Sequence, residues 1–289
     1  LKKNKIYCKM ILLSGSNGLL GSRFKKYLDQ NKIKYSTIGK EKCDFNGDIK
    51  VNSFVEKTIK RLAPNVFINM AAVTDVDYCE TNKEEAYKIN TEFPSVVSRT
   101  LKFNKKEYYV IQVSTDQVYS GNGPHDENAV KPINQYSATK HEIEKLLQDY
   151  DAISLRTNFF GKSVIRDKLS FSDKIFNSCS IRSKINIFED VYFSPVSFET
   201  IFSVISRLLK KNIFGVYNLG TKEGMTKKDF ALKFCEIVNL DAKYIIGNLQ
   251  RNVNLIAKRP KDMRLNSTKL ENDLGIKLSN LKDEIKSVK

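Results

Sequence analysis

The sequence predicts a doubly wound α/β fold, a parallel sheet covered by helices on both faces, with a smaller C-terminal region attached. Three observations carry this expectation. Apolar runs and amphipathic helical patterns alternate through the first half of the chain. Three glycines, Gly15, Gly18 and Gly21, recur at every third residue where the first strand meets the first helix. A tyrosine and a lysine four residues apart, Tyr136 and Lys140, stand on a helix that follows a central strand. Regular strand–helix alternation implies right-handed crossovers and strands buried on both faces.

The elements follow in order. Met10 to Ser14 is a buried strand by its apolar run, and Leu20, Phe24 and Leu28 then recur with the spacing of one helix face. Tyr35 to Ile38 is a short second strand. Val55, Ile59 and Leu62 mark a helix that stops at Pro64, and Val66 to Ala72 is the next strand. A helix from about Glu84 through Leu101 precedes the strand Tyr108 to Ser114. Another helix begins near Tyr136 and runs to Leu147 with Ile143, Leu146 and Leu147 on one side; Ala152 to Leu155 is again strand-like. After about Phe160 the rhythm loosens. Phe198 to Leu209 has helical spacing, and Val216 to Leu219 is a short strand ending at Gly220. Thr226 with Asp229 resembles a capping box that opens the helix of Phe230, Phe234 and Ile237. Arg259-Pro260 precedes an extended piece and a last helix ending near Gly275. With no internal repeat or low-complexity linker, residues 10–160 are expected to form a dinucleotide-binding domain. Residues 161–289 are expected to be mainly a substrate-binding region that returns part of its chain to the first domain and closes a cleft.

A chain of 289 residues is long enough for this arrangement. No apolar run approaches the roughly 20 residues needed to cross a bilayer, so no membrane span is expected. The basic stretch Leu1 to Lys9 and the short apolar run Met10 to Leu13 read as an extension into the first strand, not as a secretory signal. The net charge of +16 is spread as lysines through every segment, often beside acidic residues. It reads as a lysine-favouring composition with no nucleic-acid motif, though its field suits a phosphorylated cofactor and an anionic substrate. Cys8, Cys43, Cys79, Cys179 and Cys235 are far apart in sequence and only two histidines exist, so neither a metal site nor a disulfide framework is expected. Free thiols fit a reducing, cytoplasmic setting.

The glycine turn has the first specific chemistry. Gly15 permits the tight turn, Gly18 lets backbone approach a pyrophosphate, and Gly21 lets the helix lie close to the sheet. The helix N-terminus then presents unpaired N–H groups to the phosphates. Its position at the first junction of a βαβ series is the context such a motif requires. Gly15, Asn17, Gly18, Leu19, Leu20 and Gly21 are therefore the expected cofactor contacts. Between NAD(H) and NADP(H) the residues after strand two, Lys40, Glu41 and Lys42, together with Arg23, tilt the balance to NADP(H).

Tyr136 and Lys140 project from one helix face. A phenol titrating near pH 10 is a poor acid at neutral pH, and a nearby ammonium favours its phenolate. Thr115, in the strand-end run Val113 to Tyr119, is suited to hold a substrate carbonyl.

These pieces together resemble the extended short-chain dehydrogenase/reductases that act on nucleotide sugars, and within them the dTDP-4-dehydrorhamnose reductase group. The resemblance runs from Met10 to about Leu274. It includes the glycine triplet, Asp48-Ile49, Asn69-x-Ala71-Ala72-x-Thr74, Ser114-Thr115-Asp116, Tyr136-x-x-x-Lys140, Leu155-Arg156-Thr157 and Arg259-Pro260. It implies that Asp48 and Ile49 flank the adenine, that Ala71, Ala72 and Thr74 line the cofactor, and that Thr115, Tyr136 and Lys140 are the catalytic trio, with Tyr136 and Lys140 also contacting the cofactor. Asp116, Gln117, Phe159 and Arg259 would meet the substrate, a nucleotide-linked 4-keto-6-deoxy sugar. The chain departs from the group at Gln117, where an aromatic is common, at Phe159, near a common Trp, and along Asp190 to Pro195. Those departures leave the sugar open. An epimerase with retained cofactor, or a non-catalytic cofactor-binding regulatory subunit, are the competing readings, and homodimerisation is allowed by the sequence without being demanded. A dehydratase would show Asp-Glu where Asp116-Gln117 stands. Ordinary explanations cover the rest: His125 as a surface residue of a Gly-Pro turn, His141 facing away from Tyr136, Tyr7, Tyr108 and Tyr109 as packing aromatics, and Glu142 and Glu144 as helix-surface pairs.

Overall fold

Four consecutive residues with no exposed face, Ile11–Ser14, make β1, as an apolar run buried on both sides of a parallel sheet should. They belong to a computed structural model of the protein that describes residues 10–104 and 107–288. Tyr7 and Cys8 lie outside the described residues. Helix α1, Leu19–Gln30, buries Leu20, Phe24 and Leu28 as their spacing predicts. Strands β2, Tyr35–Gly39, and β3, Phe45–Asn46, extend the sheet on one side. A two-residue strand such as β3 has no periodicity to read, and the sequence reading misses it.

Helix α2, Asn52–Leu62, ends where Ala63 turns left-handed just before Pro64. Strand β4 is Val66–Asn69. The helix expected from Glu84 to Leu101 is preceded by a short helix, α3, Val76–Thr81, and is itself segmented: α4, Lys83–Tyr87, leads through a π-helical turn, Lys88–Glu92, into α5, Phe93–Asn104. Pro94 has no N–H to give the preceding turn, and the widened turn accommodates that loss. It also turns Asn90 inward, where its side chain bonds Val73 N, Val73 O and Thr139 Oγ1.

Strand β5, Tyr109–Val113, is followed by α6, Gln135–Leu146, and β6, Ala152–Thr157. The C-terminal half contributes β7, Phe159–Phe160; α7, Phe171–Ser180; β8, Ile185–Phe188; β9, Tyr192–Phe193; and β10, Val196–Ser197. Then come α8, Phe198–Leu208; β11, Gly215–Leu219; β12, Met225–Thr226; and α9, Lys227–Val238. Last are β13, Ile245–Asn248; β14, Asp262–Met263; α10, Thr268–Leu274; and α11, Leu281–Ser287. The expected final helix does end at Gly275, which is left-handed, but α11 follows it.

The central sheet has the order β11-β6-β5-β4-β1-β2-β3 with every pair parallel. Its order reverses between β1 and β4, and in open parallel sheets ligands bind outside the carboxyl ends of the strands at such a point. One face packs on α1, α8 and α10 through Phe24, Leu28, Phe202 and Leu270. The other packs on α2, α5 and α6 through Val55, Ile59, Val97 and Ile143. Each fully buried Leu, Ile or Phe stabilises the fold by roughly 1.5–3 kcal/mol relative to exposure. The return of β11 and α8 to this sheet joins the late chain to the early one. A third cluster around Phe193, Phe230 and Ile285 forms the core of the C-terminal region.

Two expected surface residues are buried. His125 is 5% exposed, its Nε2 lies 2.9 Å from the Asp262 carbonyl oxygen, and its ring stacks on Tyr119. Antiparallel pairing of Tyr119 with Val130 folds that loop inward, which no local pattern signals. Glu144 is 2% exposed and paired with Arg156, whereas Glu142 does form the expected surface pair, with Lys145. Tyr108 and Tyr109 are packing aromatics.

Candidate active site

The glycine turn is built against the end of β4. Gly15 has φ +72°, and a Cβ there would stand 2.4 Å from the Met70 carbonyl carbon. A Cβ on Gly21 would stand 2.1 Å from the Gly15 oxygen, so both positions exclude any side chain. Gly18 N donates to Gly15 O at 2.8 Å, and Gly18 is the N-cap of α1 without a side-chain cap. The first N–H groups of α1 are therefore left for a ligand, which is the arrangement a dinucleotide pyrophosphate fits. Asn17 Nδ2 donates to the Glu41 carbonyl at 2.7 Å, fixing the segment after β2 beside the turn. Arg23 does not face that segment. Its guanidinium pairs with Glu199 on α8 and lies over the Phe198 ring, so among the residues behind the NADP(H) tilt Lys40 and Lys42 remain.

Buried amides shape the ends of β4 and β5. Asn69 Nδ2 donates to Gln112 Oε1, and Asn69 Oδ1 accepts from Ala71 N. The run Ala71, Ala72 and Thr74 is thereby held along the cleft, with Val73 pinned by Asn90 and through it to α6. Helix α6 starts at Asn134, whose side chain accepts from Ser137 N in a capping box and also donates to the Lys258 carbonyl. That cap fixes the start of α6, and Tyr136 and Lys140 on this helix face the cleft beside the end of β5.

A cleft of about 490 Å³ gathers Gly18, Leu19, Leu20, Ala72, Thr74, Thr115, Asp116, Gln117, Tyr136, Lys140 and Phe159. Gly15, Asn17, Gly21 and Ala71 are not among its lining residues. Asp48 lies instead in a separate cavity of about 620 Å³ with Lys50 and Val51, and Ile49 packs on the α2 side of the core. Arg259 is turned from the cleft lining, with Nη2 3.0 Å from Asp77 Oδ1. Sequence reasoning missed Asn158, which donates to Asp116 Oδ2 at 2.8 Å, and Lys168, which crosses from the later chain to donate to Asn17 O at 3.0 Å. Asn158 adjoins the Arg156-Thr157 motif and was within reach; Lys168 sits in an irregular segment with no pattern.

Burial dominates the electrostatics. It pushes the Tyr136 phenol above its usual range; a hydrogen bond with Thr115 opposes this and the Asp116 charge adds to it. The expected lowering by Lys140 is not made in this structure, because Lys140 Nζ donates to the Val113 carbonyl at 2.7 Å. Burial also brings the Lys140 ammonium down to about 8, against the charge of Glu144. Asp116 is pushed up to about 6 by burial, against the Asn158 bond and the charge of Lys227. Gln117 Oε1 is buried without a partner among the described residues, beside this cleft. Among the described residues no group of His, Cys, Asp and Glu could hold a metal ion.

The arrangement resembles known proteins along nearly its whole length. A probable low-salt glycan biosynthesis reductase, Agl14, of Haloferax volcanii is 26% identical, over 94% of this chain and 95% of that protein. The dTDP-4-dehydrorhamnose reductase of Escherichia coli K12 is 28% identical, over 93% of each. The solved dTDP-4-dehydrorhamnose reductase of Bacillus anthracis, in complex with NADP, has the same fold: TM-score 0.86, 22% identity, over 97% of this chain and 98% of that one. The profile of the RmlD substrate binding domain matches residues 9–289, and the chain belongs to that family.

Proposed function

We propose that the protein is an NAD(P)H-dependent reductase of a nucleotide-linked 4-keto-6-deoxy sugar, of the dTDP-4-dehydrorhamnose reductase kind. The observation that carries the reading is the meeting of Thr115, Tyr136 and Lys140 with the glycine turn in one cleft. Residues 10–160 would bind the dinucleotide and residues 161–289 mainly the sugar nucleotide. The reduced nicotinamide, when bound, supplies the hydride. Gly15, Asn17, Gly18, Leu19, Leu20 and Gly21 would hold its pyrophosphate, Asp48 and Ile49 its adenine end, and Ala71, Ala72, Thr74 and Lys140 the rest. NADP(H) is favoured over NAD(H) by Lys40 and Lys42, and the reductase of the same fold from Bacillus anthracis was solved with NADP.

The chain's own residues then divide the work. Thr115 donates a hydrogen bond to the keto oxygen and orients it toward Tyr136. Tyr136, held above the ordinary phenol range, keeps its proton at neutral pH and gives it to that oxygen as negative charge develops there. Lys140, once it leaves the Val113 carbonyl, stabilises the phenolate left behind. Asp116, Gln117 and Phe159 border the place where the sugar would lie, and Arg259 stands further out. Gln117, with an unsatisfied buried oxygen, is ready to accept a sugar hydroxyl.

Stoichiometry tests the reading. With pure protein, NADPH and a panel of 4-keto-6-deoxy nucleotide sugars, one NADPH should be consumed per sugar. Deuterium from labelled cofactor should arrive on carbon 4. A change of sugar configuration without net NADPH loss, with solvent deuterium at a neighbouring carbon, would replace the reductase with an epimerase.

A further inference from the structure

Among the described residues, Arg156 is one of the largest fully buried side chains, and it is paired with Glu144 of the proposed catalytic helix. Its Nε and Nη2 donate to both oxygens of Glu144, at 3.0, 3.1 and 2.6 Å, and its Nη1 donates to Tyr119 Oη at 2.7 Å and the Glu127 carbonyl at 2.6 Å. Glu144 sits one helical turn after Lys140 on α6. It accepts a further bond from Ser114 Oγ, and Lys140 donates to the neighbouring Val113 carbonyl. Lys140 and Glu144, one turn apart on α6, thus fasten to two successive residues at the end of β5, Val113 and Ser114. A buried ion pair is a poor source of stability, because desolvating both charges costs about as much as their attraction returns. A fully bonded pair at this place calls for another account.

We propose that Glu144, held by Arg156, is a positioning residue for Lys140: it locks the Lys140 turn of α6 against the end of β5 and keeps one negative charge beside an otherwise desolvated ammonium. This rests on Lys140 acting with Tyr136 as proposed above. Among the described residues, the surroundings leave Glu144 alone in that role. On α6 itself Tyr136 is neutral, and His141 Nδ1 lies 3.2 Å from Glu144 Oε2. On α3, Cys79 is a buried thiol and Glu80 accepts from Gln135 N. On α4, Glu84 and Glu85 pair outward with Lys88 and Lys50, and on the π-turn Glu92 takes Asn52. On α5, Arg99 pairs with Glu56, and past β5 Asp116 bonds Asn158. Glu144 is the charge that raises the Lys140 ammonium against burial; its own carboxyl, pushed up by burial, is brought net below the carboxylate range by bonds from His141, Arg156 and Ser114.

The sign follows. Lys140 must be charged to stabilise a phenolate, so activity is lost as pH rises through its titration. Without the Glu144 charge that loss comes at lower pH. The double variant Glu144→Gln/Arg156→Met removes the pair without leaving either charge buried and alone. In protein carrying ¹³C-labelled lysine and no cofactor, the Lys140 resonance, assigned by its absence from Lys140→Met, should titrate about one pH unit or more below its wild-type midpoint. The alkaline limb of kcat for the keto sugar should move down with it, while KM changes little. Glu144→Asp, which keeps the charge but withdraws it by one methylene, should move both in the same direction by less, and it decides the matter if the double variant does not fold. An unmoved or raised Lys140 titration overturns the inference. If Lys140→Met itself turns over normally, the proposed catalytic roles fail instead, and the two failures are distinguishable.

Discussion

At the scale of single residues the cleft is governed by desolvation. Tyr136, Lys140 and Asp116 are all buried, and burial is the largest influence on each. Replacing Tyr136 by Phe keeps the ring and removes the proton, so turnover should fall by about 10² or more with dinucleotide affinity nearly unchanged. Steady-state rates with a fluorescence titration of NADPH check both halves, and near-normal turnover would end the proposed mechanism. Asp116 gives a stability prediction with a definite sign. Its folded titration near 6 stands above the ordinary 3.8, so its contribution is fully present below about pH 4 and is lost as pH rises through 6. Asp116→Asn should therefore melt higher than wild type above pH 6, by the equivalent of roughly 1–3 kcal/mol, with the difference vanishing toward pH 4. Melting curves at pH 4 and 8 that differ equally from wild type would contradict this.

At the scale of elements, two helix starts decide the site. The α1 start is a glycine cradle, where a Cβ on Gly18 would stand 3.1 Å from Gly15 O, a tight contact that needs the turn to give by a few tenths of an ångström but is far milder than the clashes at Gly15 and Gly21. Gly18→Val should accordingly fold but lose dinucleotide binding, because the branched side chain takes the space of the pyrophosphate. Unaltered NADPH binding would locate the cofactor elsewhere. The α6 start is the Asn134 capping box with its tie to the Lys258 carbonyl. Asn134→Ala should cost about 1 kcal/mol of stability and lower kcat more than it raises KM for the cofactor, since it frees the turn that carries Tyr136. Denaturant titration and initial rates would show this; a kcat equal to wild type would separate the cap from the chemistry.

At the scale of the whole molecule, the later chain does two things. It returns β11 and α8 to the central sheet, and it builds a separate small core whose loop sends Lys168 across to the glycine turn. One lysine of the later chain is thereby tied to a backbone carbonyl of the glycine turn. Lys168→Ala should weaken NADPH binding by a few-fold, as expected for loss of one charge-assisted bond near an exposed site. Calorimetric titration of both proteins checks it, and equal affinities would restrict Lys168 to a structural tie.

What the sequence determined by itself is whatever depends on local periodicity and short spacings. The alternating runs specified β1, α1, β4, β5, α6 and β6, because strand and helix periods differ and each element buries a full face. The glycine triplet and the Tyr136–Lys140 spacing marked the cleft, because both ends of that chemistry are local. Tertiary structure alone decided the rest. Two-residue strands such as β3 and β9 exist only because a neighbouring strand pairs with them. Arg23 could be assigned to the cofactor from its position, but Glu199, distant in sequence, takes it. Glu144 and His125 looked like surface residues, and it is packing against β6 and Asp262 that buries them. The charge on Lys140 likewise cannot be read along the chain, since burial sets it and the carboxylate opposing that burial is held by an arginine on β6.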